Sequence, residues 1–185
     1  MFNLVAALLL VGMVKAQPAG IAKEQPAGIA QSQPTGIAKE QTAGVEKIKV
    51  TDLESYIAHS DHPLIVNFWA TFCVPCVNEI PYFQDTVRQY KDQKVELLLI
   101  SLDLPAWYPA RIADFAKKSN FTARIWWLNE TDADYFCPKI DPRWTGGIPS
   151  SLFINNATHY RRFFDRQLTE PQVGLEIRKM LAPAP

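Results

Sequence analysis

Two cysteines separated by two residues are the most chemically informative feature of this sequence. Cys73 and Cys76 follow an apolar run over residues 64–68, Pro75 lies between them, and a helix-like pattern comes next. A strand that leads directly into a helix places Cys73 at the helix N-terminus, where unpaired N–H groups and partial positive charge stabilise a thiolate. The thiolate is the nucleophile of disulfide exchange. The spacing therefore predicts a redox pair in which Cys73 attacks and the more covered Cys76 resolves the mixed disulfide.

Two other uses of the cysteine pair stay open. A structural disulfide is one, although closing so short a loop removes little entropy from the unfolded chain. Half of a zinc site is the other, and it needs two further ligands. The sequence offers only single candidates with no second paired spacing, namely Cys137, His59, His62 and His159.

Hydrophobic periodicity predicts an α/β domain over residues 49–182, with the first ordered residues near 46. The expected order of elements is helix, strand, helix, strand, helix, strand, a hairpin and a final helix, which gives a mixed sheet with helices on both faces. Helices are expected over 52–59, capped by Thr51 with Glu54, over 75–90 with a kink at Pro81, over 110–118, and from the cap Thr169 to residue 181. Strands are expected over 64–69, 95–102 and 124–128, and a hairpin should join 151–154 with 159–164. The segment 130–146 is expected to be partly irregular.

The N-terminal quarter is expected to lie outside this domain. Residues 2–14 form an apolar stretch too short to span a bilayer, and residues 1–16 resemble a signal peptide cleaved before Gln17, with an uncleaved anchor as the alternative. Residues 17–48 repeat with a period of eight and are rich in glycine and proline. This composition predicts a disordered linker, although a binding tape for a partner stays open.

Composition limits the partners and the remaining chemistry. The formal net charge is zero, which argues against nucleic acid as a partner. The third cysteine, Cys137, has aromatic neighbours and is expected to be buried rather than to pair between molecules. Three Asn-x-Thr triplets would be glycosylation acceptors only in a eukaryotic secretory route; they begin at Asn120, Asn129 and Asn156.

Several motifs together carry a family resemblance. They are the lead-in 68–70, the pair Cys73 and Cys76, Glu79 with Pro81, and the distant stretch 147–150 of sequence Gly-Ile-Pro-Ser. With these motifs, residues 46–182 resemble the thioredoxin superfamily, and within it the secreted TlpA/ResA-like thiol–disulfide oxidoreductases. The resemblance implies a thioredoxin-like three-layer sandwich with a mixed central sheet. We expect a monomer that uses no cofactor and no metal.

The resemblance also implies roles for individual residues. Cys73, Cys76 and Glu79 are the expected catalytic residues, with Glu79 accepting the proton of Cys76, although a surface carboxylate is the simpler alternative. In the resembled family Pro149 is cis and lies against the cysteine pair, while Ile148 offers its backbone to a substrate; an ordinary trans turn proline stays open. The expected substrate-binding residues are Trp69, Phe72, Val74, Pro75, Ile148 and Pro149.

Two departures from the family pattern affect this expectation. Asn67 occupies the place where cytosolic thioredoxins carry a buried acid, and an amide cannot accept a proton, so Glu79 becomes the expected acceptor. Phe72 replaces the usual second tryptophan before the pair and lacks an indole donor. The other tryptophans, at positions 107, 126, 127 and 144, are expected to pack in the core rather than to form a ligand platform.

These features predict an exported protein-disulfide reductase. The dipeptide between the cysteines, Val74-Pro75, adds no charge that would favour the thiolate, which favours a reducing protein. The resemblance implies disulfide-containing protein substrates, apocytochrome c among the plausible ones, and recharging by a membrane electron donor of the DsbD type in the periplasm. The alternatives are an oxidase or isomerase on the same fold, a non-enzymatic tethered adaptor, and a thiol peroxidase.

Overall fold

The computed structural model describes residues 44–183 of the chain. The predicted signal peptide and all of the predicted linker up to residue 43 lie outside the described residues. The described residues therefore comprise the predicted α/β domain and the last five residues of the repeat segment, 44–48.

A single mixed sheet of six strands forms the centre of the described domain. Its order is β1-β4-β3-β2-β5-β6, and the first four strands run parallel while β5 and β6 pair antiparallel. The central strands are buried on both faces because their sequences are almost wholly apolar. The bounds are β1 Glu46–Ile48, β2 Leu64–Trp69, β3 Glu96–Ser101, β4 Arg124–Leu128, β5 Ser150–Asn155 and β6 Tyr160–Phe164.

Five helices cover the two faces of this sheet and complete a three-layer sandwich. Apolar residues of α2, α3 and α5 pack into one core with alternate strand residues such as Ile65. Those of α1 and α4 pack into a second core with the opposite residues, such as Val66. This arrangement confirms the predicted fold class. The helices are α1 Val50–His59, α2 Val74–Arg88, α3 Ala110–Lys118, α4 Ala133–Ile140 and α5 Glu170–Leu181.

The first strand begins at Glu46, the residue near which order was expected to begin, and it overlaps the segment predicted as linker. Strand β1 lies at Glu46–Ile48, inside the segment predicted as linker, and Val45 is already buried. Three residues are too few to show a periodic pattern, and parallel pairing with β4 is what orders them. The last copy of the repeat therefore contributes the edge strand of the sheet.

The predicted cap of the first helix is wrong. Helix α1 begins at Val50, and the backbone N–H of Lys49 donates to the Asp52 carboxylate at 2.8 Å. Val50 is completely buried, and its burial extends the helix two residues ahead of the predicted start. Thr51 is an exposed residue inside the first turn rather than the cap.

The remaining elements follow the predicted pattern closely. Strands β2 and β4 and helix α3 have the expected bounds, and Thr169 precedes α5 as its cap. The segment predicted as partly irregular contains α4, whose cap Asp132 accepts a hydrogen bond from the Tyr135 backbone N–H. Cys137 on α4 is a buried free thiol, as expected, and burial raises its pKa to about 11.

Gly146 offers a test of the loop between α4 and β5. Its φ of +92° is a conformation that residues with a Cβ rarely adopt. We expect Gly146→Ala to lower the free energy of unfolding by about 1–2 kcal/mol. Gly174 lies inside α5, where an added Cβ would meet Thr86 at an ordinary 3.8 Å. The matched control Gly174→Ala should raise the stability by up to about 1 kcal/mol. Urea unfolding measures both, and equal effects of one sign would contradict the assignment.

Candidate active site

The two cysteines form a disulfide at the junction of β2 and α2. Cys73 is the residue that precedes α2, and its Sγ lies 3.3 Å from the backbone nitrogen of Cys76. The S–S distance is 2.04 Å and the two Cα atoms are 5.3 Å apart. Pro75 fits the first turn of α2 because the missing N–H would have no intrahelical partner there. The sequence thus places one sulfur among the unpaired N–H groups at the start of the helix.

The two sulfurs differ in their access to solvent. Cys73 retains 8% of its surface exposed, whereas Cys76 is completely buried. The flanking side chains Phe72 and Val74 are 58% and 67% exposed, and Pro75 is exposed too. A partner disulfide can therefore reach only the sulfur of Cys73, and it does so across an apolar rim suited to a polypeptide.

An aromatic contact extends this rim toward α3. The ring of Phe72 packs edge-on against Trp107 with the centroids 5.9 Å apart. The guanidinium of Arg111 lies 3.6 Å from the centroid of the Trp107 ring. Trp107 is half-buried, whereas the other three tryptophans predicted to pack in the core are buried there, namely Trp126, Trp127 and Trp144.

The predicted role of Trp69 in binding substrate needs correction. Trp69 has no exposed surface and packs against Phe115 and Phe121, with its ring centroid 5.3 Å from that of Phe121. A side chain enclosed in this way cannot touch a docked polypeptide. Trp69 supports the strand end that precedes the cysteine pair.

The predicted cis proline lies at the same edge of the sheet as the disulfide. The Ile148–Pro149 peptide bond is cis. Ser150 pairs with Phe68, so Pro149 stands beside the end of β2 from which the chain runs to Cys73. Pro149 is buried and Ile148 is half-buried. The cis bond agrees with the expectation, and the strand register places both residues at the end of the sheet from which the chain continues to Cys73.

The loop before this proline is held by a single carbonyl. The oxygen of Gly147 accepts from the indole Nε1 of Trp144 at 2.8 Å and from the Ser150 hydroxyl. Trp144 is itself enclosed by Phe68 and Phe136. This arrangement fixes the approach of the chain to Ile148 without leaving the carbonyl of Gly147 unpaired.

Glu79 is a completely buried carboxyl on α2, one turn beyond Cys76. One of its oxygens accepts from Asn67 Nδ2 at 2.8 Å, and the other accepts from the backbone N–H of Leu168 at 2.8 Å. Burial raises the pKa of Glu79 from 4.5 to about 7, against the opposing effect of the two donors. A surface carboxylate, the simpler expectation, is excluded, and a group that exchanges a proton near neutral pH remains.

Asn67 fixes the orientation of this carboxyl. Its Nδ2 donates to Glu79 and also lies 3.0 Å from the hydroxyl of Ser151, which is its neighbour across the β2–β5 pair. Its Oδ1 is buried and has no hydrogen-bond partner among residues 44–183. The amide therefore stabilises the charged form of Glu79 and leaves that carboxyl as the group able to take a proton.

Asp103 is a polar residue near the site that the sequence analysis did not identify. It is buried, and its carboxylate accepts from the backbone N–H of Thr71 at 3.1 Å, the hydroxyl of Thr71 at 2.7 Å and the hydroxyl of Ser101 at 2.8 Å. The available signal was its position, since polar residues just after a central parallel strand lie at the edge where sites form.

Residues 44–183 contain neither a cluster of metal-ligating side chains nor a membrane-spanning helix. Among residues 44–183, no group of three or more His, Cys, Asp or Glu side chains is placed to hold a metal ion. Within the same range, no helix combines the length and the apolar character that crossing a membrane requires.

Comparison with known proteins agrees with this geometry. The sequence pattern of the AhpC/TSA family matches residues 34–155. A thiol-disulfide oxidoreductase ResA from Halalkalibacterium halodurans is 29% identical over 120 residues, which cover 65% of this chain and 62% of the relative. A protein of the same name from Oceanobacillus iheyensis is 41% identical over 56 residues, or 30% of this chain and 26% of the relative. These curated relatives are thus matched over less than two thirds of their own length.

A solved structure supports the same fold. The thioredoxin-related protein from Neisseria meningitidis serogroup B superposes with a TM-score of 0.56 at 22% identity, covering 65% of this chain and 86% of that one. The thioredoxin-like architecture that the motifs predicted is therefore confirmed.

Proposed function

The chain belongs to the AhpC/TSA family, and on that premise we propose that it is an exported thiol–disulfide oxidoreductase that reduces protein disulfides. The observation that carries the proposal is the Cys73–Cys76 disulfide at the N-terminus of α2, in which Cys73 retains 8% of its surface exposed and Cys76 none. The names of the ResA relatives support the same reaction class.

In the proposed reaction, the thiolate of Cys73 attacks a substrate disulfide and forms a mixed disulfide, while one substrate sulfur leaves as a thiolate. Cys76 then attacks Cys73, which releases the second substrate thiolate and closes the Cys73–Cys76 disulfide. Because Cys76 is a thiol in a buried place, it needs a proton acceptor to become nucleophilic. Glu79, one helical turn away with a pKa of about 7, takes that proton.

The substrate is proposed to be an extended polypeptide segment around a disulfide. Ile148 lies just before β5 and offers backbone groups to such a segment, as in strand addition. The exposed side chains of Phe72 and Val74 supply apolar contacts beside the reacting sulfur. No cofactor is needed, because the two electrons move between sulfur atoms.

The direction of exchange is proposed to be reduction of the substrate. Between the cysteines, Val74 and Pro75 carry neither a charge nor a side-chain donor that would stabilise the Cys73 thiolate. Thiolate stabilisation is what makes a pair oxidising. Equilibration with glutathione or dithiothreitol tests this direction: we expect a potential near the value of about −270 mV of thioredoxin, and one near −120 mV would assign an oxidase instead.

Export and recharging complete the proposal. Residues 1–16 act as the signal peptide, residues 17–43 tether the domain, and a membrane electron donor of the DsbD type returns the pair to the dithiol in the periplasm. Cys76→Ser in the native host should stall with its partner attached through Cys73, and mass spectrometry would identify it. Capture of only reduced, disulfide-free proteins would contradict the assignment.

A further inference from the structure

A buried carboxylate lies beside the redox pair and takes no part in the reaction described above. Asp103 follows β3 and is 4% exposed, and among residues 44–183 its carboxylate receives hydrogen bonds only from donors of Thr71 and Ser101. Its own backbone carbonyl accepts from the indole Nε1 of Trp127 on β4 at 2.8 Å. Three elements thus hold one acidic side chain in a fixed place. An acid is rarely buried unless such contacts stabilise it.

This carboxylate holds the turn that presents Cys73. The backbone N–H of Cys73 donates to the Ala70 carbonyl at 3.0 Å, which closes a four-residue turn between β2 and α2. Thr71 is the second residue of the turn, and both its N–H and its hydroxyl bind Asp103. The ends of such a turn are less than about 7 Å apart. The carboxylate of Asp103 is therefore hydrogen-bonded to the same four-residue turn whose last residue is Cys73.

A negative charge at this place disfavours the thiolate of Cys73 and so disfavours the reduced pair. Two other charged groups lie near the pair: Glu79 from α2, and Arg111 from α3, which stacks on Trp107 behind Phe72. Among the described residues, neither Glu79 nor Arg111 is hydrogen-bonded to the turn 70–73, whereas Asp103 is. Stabilising the reduced form makes a pair oxidising, so destabilising its thiolate has the opposite effect.

We propose that Asp103 is a positioning residue that fixes the turn before Cys73 and, through its charge, makes the Cys73–Cys76 dithiol a stronger reductant. The proposal rests on the disulfide-exchange function proposed above and adds the group that biases its direction. Among residues 44–183, Asp103 has no hydrogen bond to either sulfur. It therefore acts on Cys73 through the geometry of the turn and through the electrostatic potential of its charge.

The variant that separates charge from geometry is Asp103→Asn. The amide oxygen can still accept from the N–H and the hydroxyl of Thr71, and the amide nitrogen can donate to the Ser101 hydroxyl. Only the second contact of the Thr71 N–H, at 3.2 Å to Oδ2, is lost. The alkylation rate of Cys73 against pH should show an ionisation midpoint lower by about one unit, from a charge roughly 8 Å away at an effective dielectric constant near 20. Asp92→Asn, an exposed acid in the turn after α2, is the control and should leave the midpoint unchanged.

The redox equilibrium gives a second readout. In glutathione buffer, the protein disulfide and two glutathione thiols give the protein dithiol and one glutathione disulfide, with two electrons and two protons passing to the pair. At pH 8 the Asp103→Asn protein should favour the dithiol about five- to tenfold more than the unmodified protein. At a pH below the ionisation midpoints that alkylation gives for both proteins, the difference should vanish. A difference that is the same at both pH values would overturn the charge effect.

Two further variants keep the proposal testable if Asp103→Asn does not fold. Thr71→Val and Ser101→Ala retain the charge and remove one hydroxyl donor each, so the carboxylate is less neutralised and the ionisation midpoint of Cys73 should rise. A midpoint that falls in both variants would mean that loosening of the turn, and not the charge, sets the ionisation of Cys73, and would overturn the proposal. The glutathione measurement needs no protein substrate. Failure to reduce insulin would therefore count against the proposed function alone, and an unshifted Asp103→Asn equilibrium against this inference alone.

Discussion

Replacing Cys73 with serine is expected to abolish disulfide exchange. Cys73 is the cysteine of the pair that retains exposed surface, and serine at neutral pH provides no comparable nucleophile. Reduction of insulin in the presence of dithiothreitol should fall at least about a thousandfold, to the rate of the reagent alone. Turbidity or release of the insulin B chain measures this loss.

Cys137 provides the matched control for this substitution. It is a buried free thiol on α4, in the core on the opposite face of the sheet from α2. Cys137→Ser should leave the rate of insulin reduction within about twofold while costing some stability, because it puts a hydroxyl in an apolar place. A Cys73→Ser protein that still reduces insulin would contradict the assignment of Cys73 as the attacking sulfur.

Replacing Glu79 with glutamine is expected to slow the second half of the reaction. The amide has the same shape as the carboxyl but cannot accept the proton of Cys76, so the mixed disulfide should decay about a hundredfold more slowly at pH 8. In the unmodified protein the decay should speed up with pH around a midpoint near 7, where Glu79 loses its own proton. Acid quenching followed by mass spectrometry of the mixed disulfide gives both rates.

The same substitution should also change how the free energy of unfolding depends on pH. Between pH 4.5 and about 7, the folded chain holds a proton on Glu79 that the unfolded chain has released, so the stability of the unmodified protein falls as pH rises through this window. Glu79→Gln removes the titration. The free energy of unfolding of Glu79→Gln, relative to that of the unmodified protein, should therefore rise by about 3 kcal/mol from pH 4 to pH 8.

An exposed acid serves as the control for both Glu79 measurements. Glu170 lies exposed in the first turn of α5, and Glu170→Gln should change neither the lifetime of the mixed disulfide nor the pH dependence of stability beyond a few tenths of a kcal/mol. A Glu79→Gln protein that is slower, but whose stability relative to the unmodified protein does not grow between pH 4 and pH 8, would mean that the carboxyl is not the buried proton acceptor.

The sequence predicts most of the architecture because its central elements have strong local signals. Continuous apolar runs define β2 and β3, and a cysteine pair with proline marks the start of α2. Local signals do not predict the cis bond before Pro149, since a single X–Pro bond is usually trans. That bond was expected only from the family resemblance. Residues whose placement depends on their immediate neighbours are thus recovered well.

The parts that the sequence did not predict depend on contacts distant along the chain. Strand β1 is ordered by pairing with β4, some 80 residues away, and the burial of Trp69 follows from aromatic residues of another segment. Asp103 meets Thr71 across 32 residues, and Glu79 meets the Leu168 backbone across 89. No spacing rule within one segment could join these partners.

Counting thiols in a single turnover tests the central claim most directly. The pre-reduced protein is mixed with an equal amount of a protein that holds one disulfide, and all free thiols are alkylated and assigned by mass spectrometry. The account predicts that Cys73 and Cys76 lose two thiols while the substrate gains two, with Cys137 unchanged. A substrate that stays oxidised while Cys73 and Cys76 stay reduced would contradict it.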